Sequence, residues 1–258
     1  MINFDFLEQN KLELREKYLL AKPFPYLVID DFCDRELLEK AYASIPELEN
    51  KSRDYVFANN KFEKSNYKEI GPEFLTLQEE LRSDRMNDFL SFVTNETIFV
   101  DPKNFGGGLH QGKKNSFLDM HLDFNYHPLN KKWYRNLNLL LYLNKDWKSA
   151  YGGHLKLRDL RSEECAELEV PFNRMIIQQT RGFTLHGYDM TSFPEGNYRT
   201  SIATYAYTQH AMNIEAPRTT DWFPKEDASS TKKFMAKHYN TAVQLKNKFL
   251  GSRTAKNQ

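Results

Sequence analysis

His121 and Asp123 stand two residues apart in Met120-His121-Leu122-Asp123-Phe124. In an extended strand such a pair projects to one face, while Leu122 turns the other way into packing. A neutral imidazole beside a carboxylate needs one more ligand to form a facial metal triad. His186, in Phe183-Thr184-Leu185-His186-Gly187, can supply it. Two histidines and one carboxylate with open positions suit non-haem Fe(II) and oxygen chemistry. Zn²⁺ or another divalent ion could occupy the same ligands, since raw affinity favours zinc over ferrous iron. The plain alternative is a pair of ordinary buried histidines. A His-x-Asp alone is common, so the specificity rests on its surroundings.

Those surroundings include Asn197-Tyr198-Arg199-Thr200-Ser201. A guanidinium fork suits bidentate capture of a carboxylate. Ser201 shares the strand face of Arg199 and can add a hydroxyl. A surface ion pair is the competing role for Arg199, but its place between Tyr198 and Ile202 in an apolar strand argues against it. Tyr205 lies on the same face again, and Asn138 shares a face with Tyr142. Both are barrel-lining candidates, with core packing an equal alternative. His110 is disfavoured as a ligand, because His121 and Asp123 already supply the strand pair. His127 reads as a substrate-side or surface residue. His154 could approach substrate without being a ligand, and Arg174 sits either near the site or in a structural pair.

The order of motifs adds a further layer. Asn138-Leu139-Leu140-Leu141-Tyr142-Leu143-Asn144-Lys145-Asp146-Trp147 follows His-x-Asp, then Gly152-Gly153-His154-Leu155, Asn173-Arg174-Met175-Ile176-Ile177, His186 and Arg199-x-Ser201. This succession resembles the Fe(II)/2-oxoglutarate-dependent dioxygenases, most closely their prolyl 4-hydroxylase-like branch, over roughly residues 105–208. A weaker likeness in Phe24-Pro25-Tyr26-Leu27-Val28-Ile29-Asp30-Asp31-Phe32 extends it towards the N-terminus. The resemblance implies a double-stranded β-helix (a cupin-like jelly roll), with Fe(II) on His121, Asp123 and His186. It implies 2-oxoglutarate and O₂ as co-substrates, the distal carboxylate of 2-oxoglutarate being held by Arg199, Ser201 and Tyr142. Asn138 and Tyr205 are carried as further co-substrate-side candidates.

The implied reaction hydroxylates an unactivated C–H and releases succinate and CO₂. Its substrate is an amino acid, a peptidyl (prolyl-like) residue or a small metabolite. Asp123 argues against the halogenase variant, in which that carboxylate is absent. Two other readings stay open. One is a non-catalytic jelly-roll module that binds metal or 2-oxoglutarate, against which the intact triad and Arg199 argue. The other is a metal-dependent jelly-roll enzyme without an oxo-acid co-substrate, against which Arg199-x-Ser201 argues.

The elements that must position these residues can be read along the chain. Residues 5–20 carry an imperfect helical stripe, ended by Lys22-Pro23-Phe24-Pro25. Tyr26 to Ile29 reads as a buried strand, and Asp34 as the cap of a helix over Arg35 to Ser44. Residues 46–71 read as a long polar surface loop with room for short strands. Phe74 to Thr94 has one broad helical stripe, read as a helix supporting a sheet. Phe105 to Gln111 begins a strand whose glycines permit close packing or a bulge, and Phe117 to Phe124 is the strand of His121 and Asp123. Asn136 to Asn144 is apolar enough for a strand buried on both faces. Short strand patterns follow at 154–158, 166–172, 174–178, 184–187 and 198–207. At least seven short strands without intervening long helices predict an all-β barrel or jelly roll. Residues 209–227 read as loop, and Ser229 to Leu250 as a helix. Asn130 to Arg135 and residues 51–70 are expected to shape substrate access.

The 258 residues fit one domain. We read residues 1–258 as a single unit: 1–99 supporting helices and strands, 100–208 the jelly-roll catalytic core, 209–258 a C-terminal loop and helix. The chain is 40% hydrophobic and 28% charged, as a folded globular protein is, which argues against disorder. A net charge of +1 argues against a large nucleic-acid footprint, so small-molecule or peptide and protein substrates are the expected partners. Cys33 and Cys165 lack metal spacing and read as free thiols of a reducing compartment. No run approaches transmembrane length and no apolar leader core is evident, so no membrane partner and a cytoplasmic location are expected.

Overall fold

Leu137, Leu139 and Leu141 point one way from their strand, and Leu140 and Tyr142 the other. This alternation sets the layers of the molecule. The computed structural model describes residues 1–46 and 56–250, with side chains to residue 243. In chain order the elements are α1 (Phe4–Gln9), α2 (Lys11–Leu20), β1 (Tyr26–Ile29), α3 (Arg35–Ala43), β2 (Ala58–Lys64), α4 (Tyr67–Ile70), α5 (Pro72–Leu81), α6 (Asp84–Thr94) and β3 (Phe99–Val100). They continue with β4 (Gly108–Leu122), β5 (Trp133–Tyr142), β6 (Leu155–Asp159), β7 (Cys165–Leu168), β8 (Arg174–Gln179), β9 (Thr184–Tyr188), β10 (Arg199–Gln209), β11 (Asp221–Phe223) and α7 (Ser230–Leu250).

The strands form one curled antiparallel sheet in the order β1-β8-β5-β10-β4-β9-β6-β7, with β2 and β11 also on β4 and β3 on β10. This is the mainly β, jelly-roll architecture expected from the sequence. The outer face of β5, β8 and β10 packs on the N-terminal helices, through Leu139, Met175, Ile177 and Ile202 against Leu14, Leu38, Leu77 and Leu90. Burying each such leucine or isoleucine contributes about 1.5–3 kcal/mol relative to leaving it exposed. The inner face lines the barrel, and the side chains of interest stand there.

β4 is one 15-residue strand where the sequence pointed to two. Its first half pairs with β10, Gly112 lying opposite Arg199, and its second half pairs with β9, His121 lying opposite His186. Between them Asn115 takes φ +64°, and the register on β9 shifts. Such an irregularity bends a strand, and here it carries one strand from one side of the curl to the other.

Three other elements differ from expectation. The 74–94 stripe is split into α5 and α6, because Ser83 caps a new helix by accepting from Met86 N–H (3.2 Å). Each helix buries apolar residues of its own, Phe74, Leu77 and Leu81 in the first and Met86, Phe89, Leu90 and Val93 in the second, so the broad apolar run did not show the break. The 46–71 stretch contains the seven-residue β2; residues 47–55, part of the expected loop, lie outside the described residues. Within 209–227, Asp221–Phe223 forms β11. β2 is polar and β11 very short, so both depend on backbone pairing that β4 offers. Cys33 and Cys165 are free thiols. Among the described residues, no helix is long and apolar enough to cross a membrane.

Candidate active site

His121 closes β4 and His186 sits in the middle of β9, held opposite each other by the strand register. Asp123 lies just past the end of β4, in the loop that follows. The three side chains bring one donor atom each to within 4.8 Å of one another. His121 Nε2 is 3.7 Å from Asp123 Oδ1, and His186 Nε2 is 3.5 Å from Asp123 Oδ2. His121 Nδ1 lies 2.9 Å from the Asp119 carbonyl. Donation there places the ring proton on Nδ1 and leaves the Nε2 lone pair facing its neighbours.

Protonation favours ligation. Burial, reinforced by His121, pushes His186 from 6.5 down to about 3 against the pull of Asp123. Burial lowers His121 as well. Burial alone would raise the Asp123 carboxyl, but the Arg135 guanidinium, both imidazoles and the Asn138 hydrogen bond hold it well below the usual carboxylate range. Near neutral pH the cluster is therefore two neutral imidazoles and one carboxylate, the donor set that a divalent ion needs.

These shifts set a pH dependence. An unfolded chain binds a proton at His186 near pH 6.5 that the folded chain refuses until about pH 3. Stability therefore falls as pH drops through that window. The depressed Asp123 acts in the same direction, its contribution lost as pH falls below the normal carboxylate range. The melting temperature of metal-free protein is expected to fall on acidification from pH 7 to 5, and less steeply in His186→Gln. Equal slopes would contradict the assignment of that proton to His186.

Arg135 is the participant that motif reading did not single out. It falls in the stretch expected to shape substrate access, yet it is 2% exposed and lies inside β5. Its Nη2 is 2.9 Å from Asp123 Oδ2, and its Nε and Nη2 donate to Asn138 Oδ1 at 2.9 and 2.6 Å. Asn138 Nδ2 donates to the same Asp123 Oδ2 (2.8 Å). The guanidinium is 3.5 Å from the Tyr205 ring centroid and 4.5 Å from that of Phe124. Asn138 and Tyr205 thus do line the barrel, opposite each other in register. Both of Asn138's amide atoms are engaged by Asp123 and Arg135.

Arg199 stands at the other end of the inner face, 7% exposed. Its Nε donates to Gly153 O (2.7 Å) and its Nη2 to Tyr142 Oη (3.3 Å), while the guanidinium lies 3.9 Å from the Tyr188 ring centroid. Among the described residues, no carboxylate lies within ion-pair distance of it. A buried cation without a carboxylate is costly unless an anion completes it. Ser201 is buried directly opposite Tyr142 in register, on the same face.

The C-terminal segment holds the triad from outside. The Trp222 ring of β11 lies tilted over His121, centroids 4.9 Å apart, and Phe57 stacks in turn on Trp222. Arg218 Nε donates to Asp123 O (3.0 Å) and Tyr126 Oη accepts from Ile214 N–H (2.8 Å), which ties down the Asp123 loop. Gly187 explains how closely β9 approaches β4. A Cβ there would lie 2.6 Å from Leu118 O and 2.9 Å from Asp119 O, both backbone atoms. Gly187→Ala is expected to cost about 1–3 kcal/mol through overpacking. Because it separates His186 from His121, it is also expected to weaken Mn(II) binding in calorimetry; unchanged binding would refute that coupling.

The remaining histidines stand apart. His127, expected on the substrate side or the surface, is 3% exposed and pairs through Nε2 with Asp101 Oδ2 (3.3 Å). Its Nδ1 accepts from Leu129 and Asn130 N–H, so it braces the loop after β4. His154 contacts Ser149 and Trp147. His110 lies on β4 opposite Ser201. Arg174 forms the structural pair, its fork on both oxygens of Asp30 (2.6 and 2.9 Å).

A family model described as the 2OG-Fe(II) oxygenase superfamily matches residues 107–207. No curated protein matches the chain. Among solved structures, a prolyl hydroxylase from Trichoplax adhaerens, in complex with a hypoxia inducible factor oxygen degradation domain peptide fragment, superposes with a TM-score of 0.54 at 15% identity, covering 78% of this chain and 92% of that one. A Pseudomonas putida prolyl-4-hydroxylase gives 0.51 at 12% identity, over 78% of this chain and 99% of that one. HygX from Streptomyces hygroscopicus, with nickel, 2-oxoglutarate and hygromycin B bound, gives 0.52 at 13% identity, over 79% and 88%. At these identities the likeness is one of fold, the double-stranded β-helix.

Proposed function

We propose, from the match of residues 107–207 to the 2OG-Fe(II) oxygenase superfamily, that the chain hydroxylates an unactivated C–H of an amino acid, a peptidyl residue or a small metabolite, with release of succinate and CO₂. The observation that carries the reading is the pairing, inside one barrel, of the His121–Asp123–His186 cluster with a buried Arg199 that no carboxylate of the described residues neutralises. In this reading His121, Asp123 and His186 hold Fe(II), and Arg199 receives the distal carboxylate of 2-oxoglutarate. Tyr142 Oη and the neighbouring Ser201 hydroxyl add to that end.

The donor set fits the metal, because its imidazoles are neutral and its carboxylate ionised. When bound, iron with 2-oxoglutarate and O₂ supplies oxidative decarboxylation coupled to C–H hydroxylation. The chain's own residues orient and shield. Asp119 O fixes the tautomer of His121. Arg135 and Asn138 hold Asp123 Oδ2 and keep the carboxylate ionised. Gly153 O and Tyr188 hold the Arg199 fork in one orientation, so less freedom is lost when a carboxylate docks. Trp222 and Phe57 cover His121 and keep water from its outer side. The non-catalytic alternative has no supporting observation, and a metal enzyme without an oxo-acid co-substrate would leave the buried Arg199 without a use. A cytoplasmic location accords with the free thiols of Cys33 and Cys165.

The test is succinate formation from 2-oxoglutarate by protein loaded with Fe(II) without air and then exposed to oxygen, beside His121→Ala and Arg199→Ala. Turnover lost in both variants is expected. Turnover that survives Arg199→Ala would move the assignment to a metal enzyme without an oxo-acid co-substrate.

A further inference from the structure

The carbonyl that fixes His121 belongs to a residue whose side chain is held by the C-terminal helix. His121 Nδ1 lies 2.9 Å from Asp119 O, and Asp119 Oδ2 lies 2.6 Å from Lys232 Nζ in the first turn of α7. The two charged side chains are 7% and 21% exposed, so the pair is largely sheltered. The Lys232 ammonium also stands 5.0 Å from the Phe117 ring centroid, two residues back along β4. A buried carboxylate that loses its only close cation is left uncompensated, so the backbone around Asp119 has reason to stay where Lys232 holds it.

The same helix holds the ring that covers His121. Trp222 stands opposite His121 in register. Its Nε1 is buried and has no hydrogen-bond partner among the described residues, so packing rather than a polar contact sets the ring. Tyr239 of α7 meets both Trp222 and Phe57 edge-on, with centroids 6.1 and 5.8 Å apart. One residue on, Asn240 Oδ1 accepts from Thr219 N–H (3.0 Å) and from its hydroxyl (2.6 Å), which fixes the lead into β11. Lys232, Tyr239 and Asn240 stand at i, i+7 and i+8, on one face of the helix.

That face is not a greasy one. Among the described side chains of α7 the only buried apolar one is Ala236, while Phe234 and Met235 are exposed. The helix is therefore docked by a few directed contacts, and each of them leads to His121 through one intermediary. α7 also lies outside residues 107–207, which carry the family likeness. Resting on the reading that His121 holds the metal, we propose that α7 positions that ligand: Lys232 acts through Asp119 and Tyr239 through Trp222, and together they set the affinity of the cluster for a divalent ion. Asp119 O fixes the tautomer and the ring's direction, and Trp222 blocks the space into which the imidazole would turn. Partners that orient a ligating histidine are worth about 10–100-fold in metal affinity.

Mn(II) calorimetry of the full chain tests this. Lys232→Met and Tyr239→Leu are each expected to lower Mn(II) affinity about tenfold. Asp119→Asn removes the carboxylate but keeps the carbonyl. In that background Lys232→Met is expected to change the affinity less than about twofold, because its intermediary is already gone. Leu38→Ala is the control for general destabilisation. It opens the core under α3, on the far face of the sheet, and is expected to leave Mn(II) affinity within about twofold. The proposal is overturned if either helix variant binds Mn(II) as wild type does, if Lys232→Met loses as much in the Asp119→Asn background, or if Leu38→Ala weakens the metal equally. Failure of the unaltered chain to bind Mn(II) would take down the metal-site reading itself, a result distinct from these three.

Discussion

Asp123→Ala is expected to abolish metal binding and turnover and, separately, to destabilise the metal-free protein. The first effect follows because Asp123 is the only anion among the three clustered donors. The second follows from Arg135. That guanidinium is 2% exposed, and Asp123 is its partner at 2.9 Å. Removing one partner of a buried pair leaves an uncompensated charge and costs about 3–5 kcal/mol. Asn138 Oδ1 still accepts from Arg135 but offers no charge. Thermal denaturation of metal-free protein should therefore show a lower midpoint in Asp123→Ala than in wild type. The double variant Asp123→Ala/Arg135→Met should recover part of the loss, because it removes the stranded cation. Mn(II) titration should show no binding in either variant. A double variant no more stable than Asp123→Ala would mean that Arg135 is not held by this carboxylate.

Arg199→Ala is expected to lower 2-oxoglutarate affinity by about 10²–10³-fold, the loss of a buried charged pair worth roughly 2–5 kcal/mol, while Mn(II) binding persists. The separation is structural. Arg199 contacts Gly153, Tyr142 and Tyr188, whereas the triad is held by Asp119, Arg135 and Asn138. Arg199→Lys should rescue only part of the affinity, since an ammonium cannot donate to Gly153 O and fork a carboxylate in the same geometry. Tyr142→Phe removes one hydroxyl and should cost about 1 kcal/mol. Titration of 2-oxoglutarate into Mn(II)-loaded variants reads all three, and full affinity in Arg199→Ala would remove the arginine from the co-substrate site.

Both predictions join a residue that the sequence singles out to neighbours that it does not. His121, His186 and Arg199 are legible because each sits in a strand motif of fixed side-chain period, and Asp123 because it directly follows the strand of His121. The motif order also suffices to recognise the barrel. β1, the Asp34 cap and the two-sided burial of β5 are legible for the same reason: propensity and alternation act within a few residues. Arg135 is different. A charged residue at the edge of a polar loop reads as solvent-facing, and only the register shift of β5 on β10, which sets Arg135 opposite Tyr207, turns it inward onto Asp123.

β2 is a polar stretch, Ala-Asn-Asn-Lys-Phe-Glu-Lys, with no clear alternation of its own. Trp222 lies in a three-residue strand. Nothing local makes these segments strands; the open edges of β4 do, by offering backbone partners from far along the chain. The sequence by itself determined the three candidate donors, the arginine and the class of fold, since those depend on residue type and local period. Tertiary structure decided which cations meet which carboxylates and which aromatic ring covers which imidazole. Those pairings are set by long-range strand register, and a partner strand leaves no mark on the sequence it pairs with.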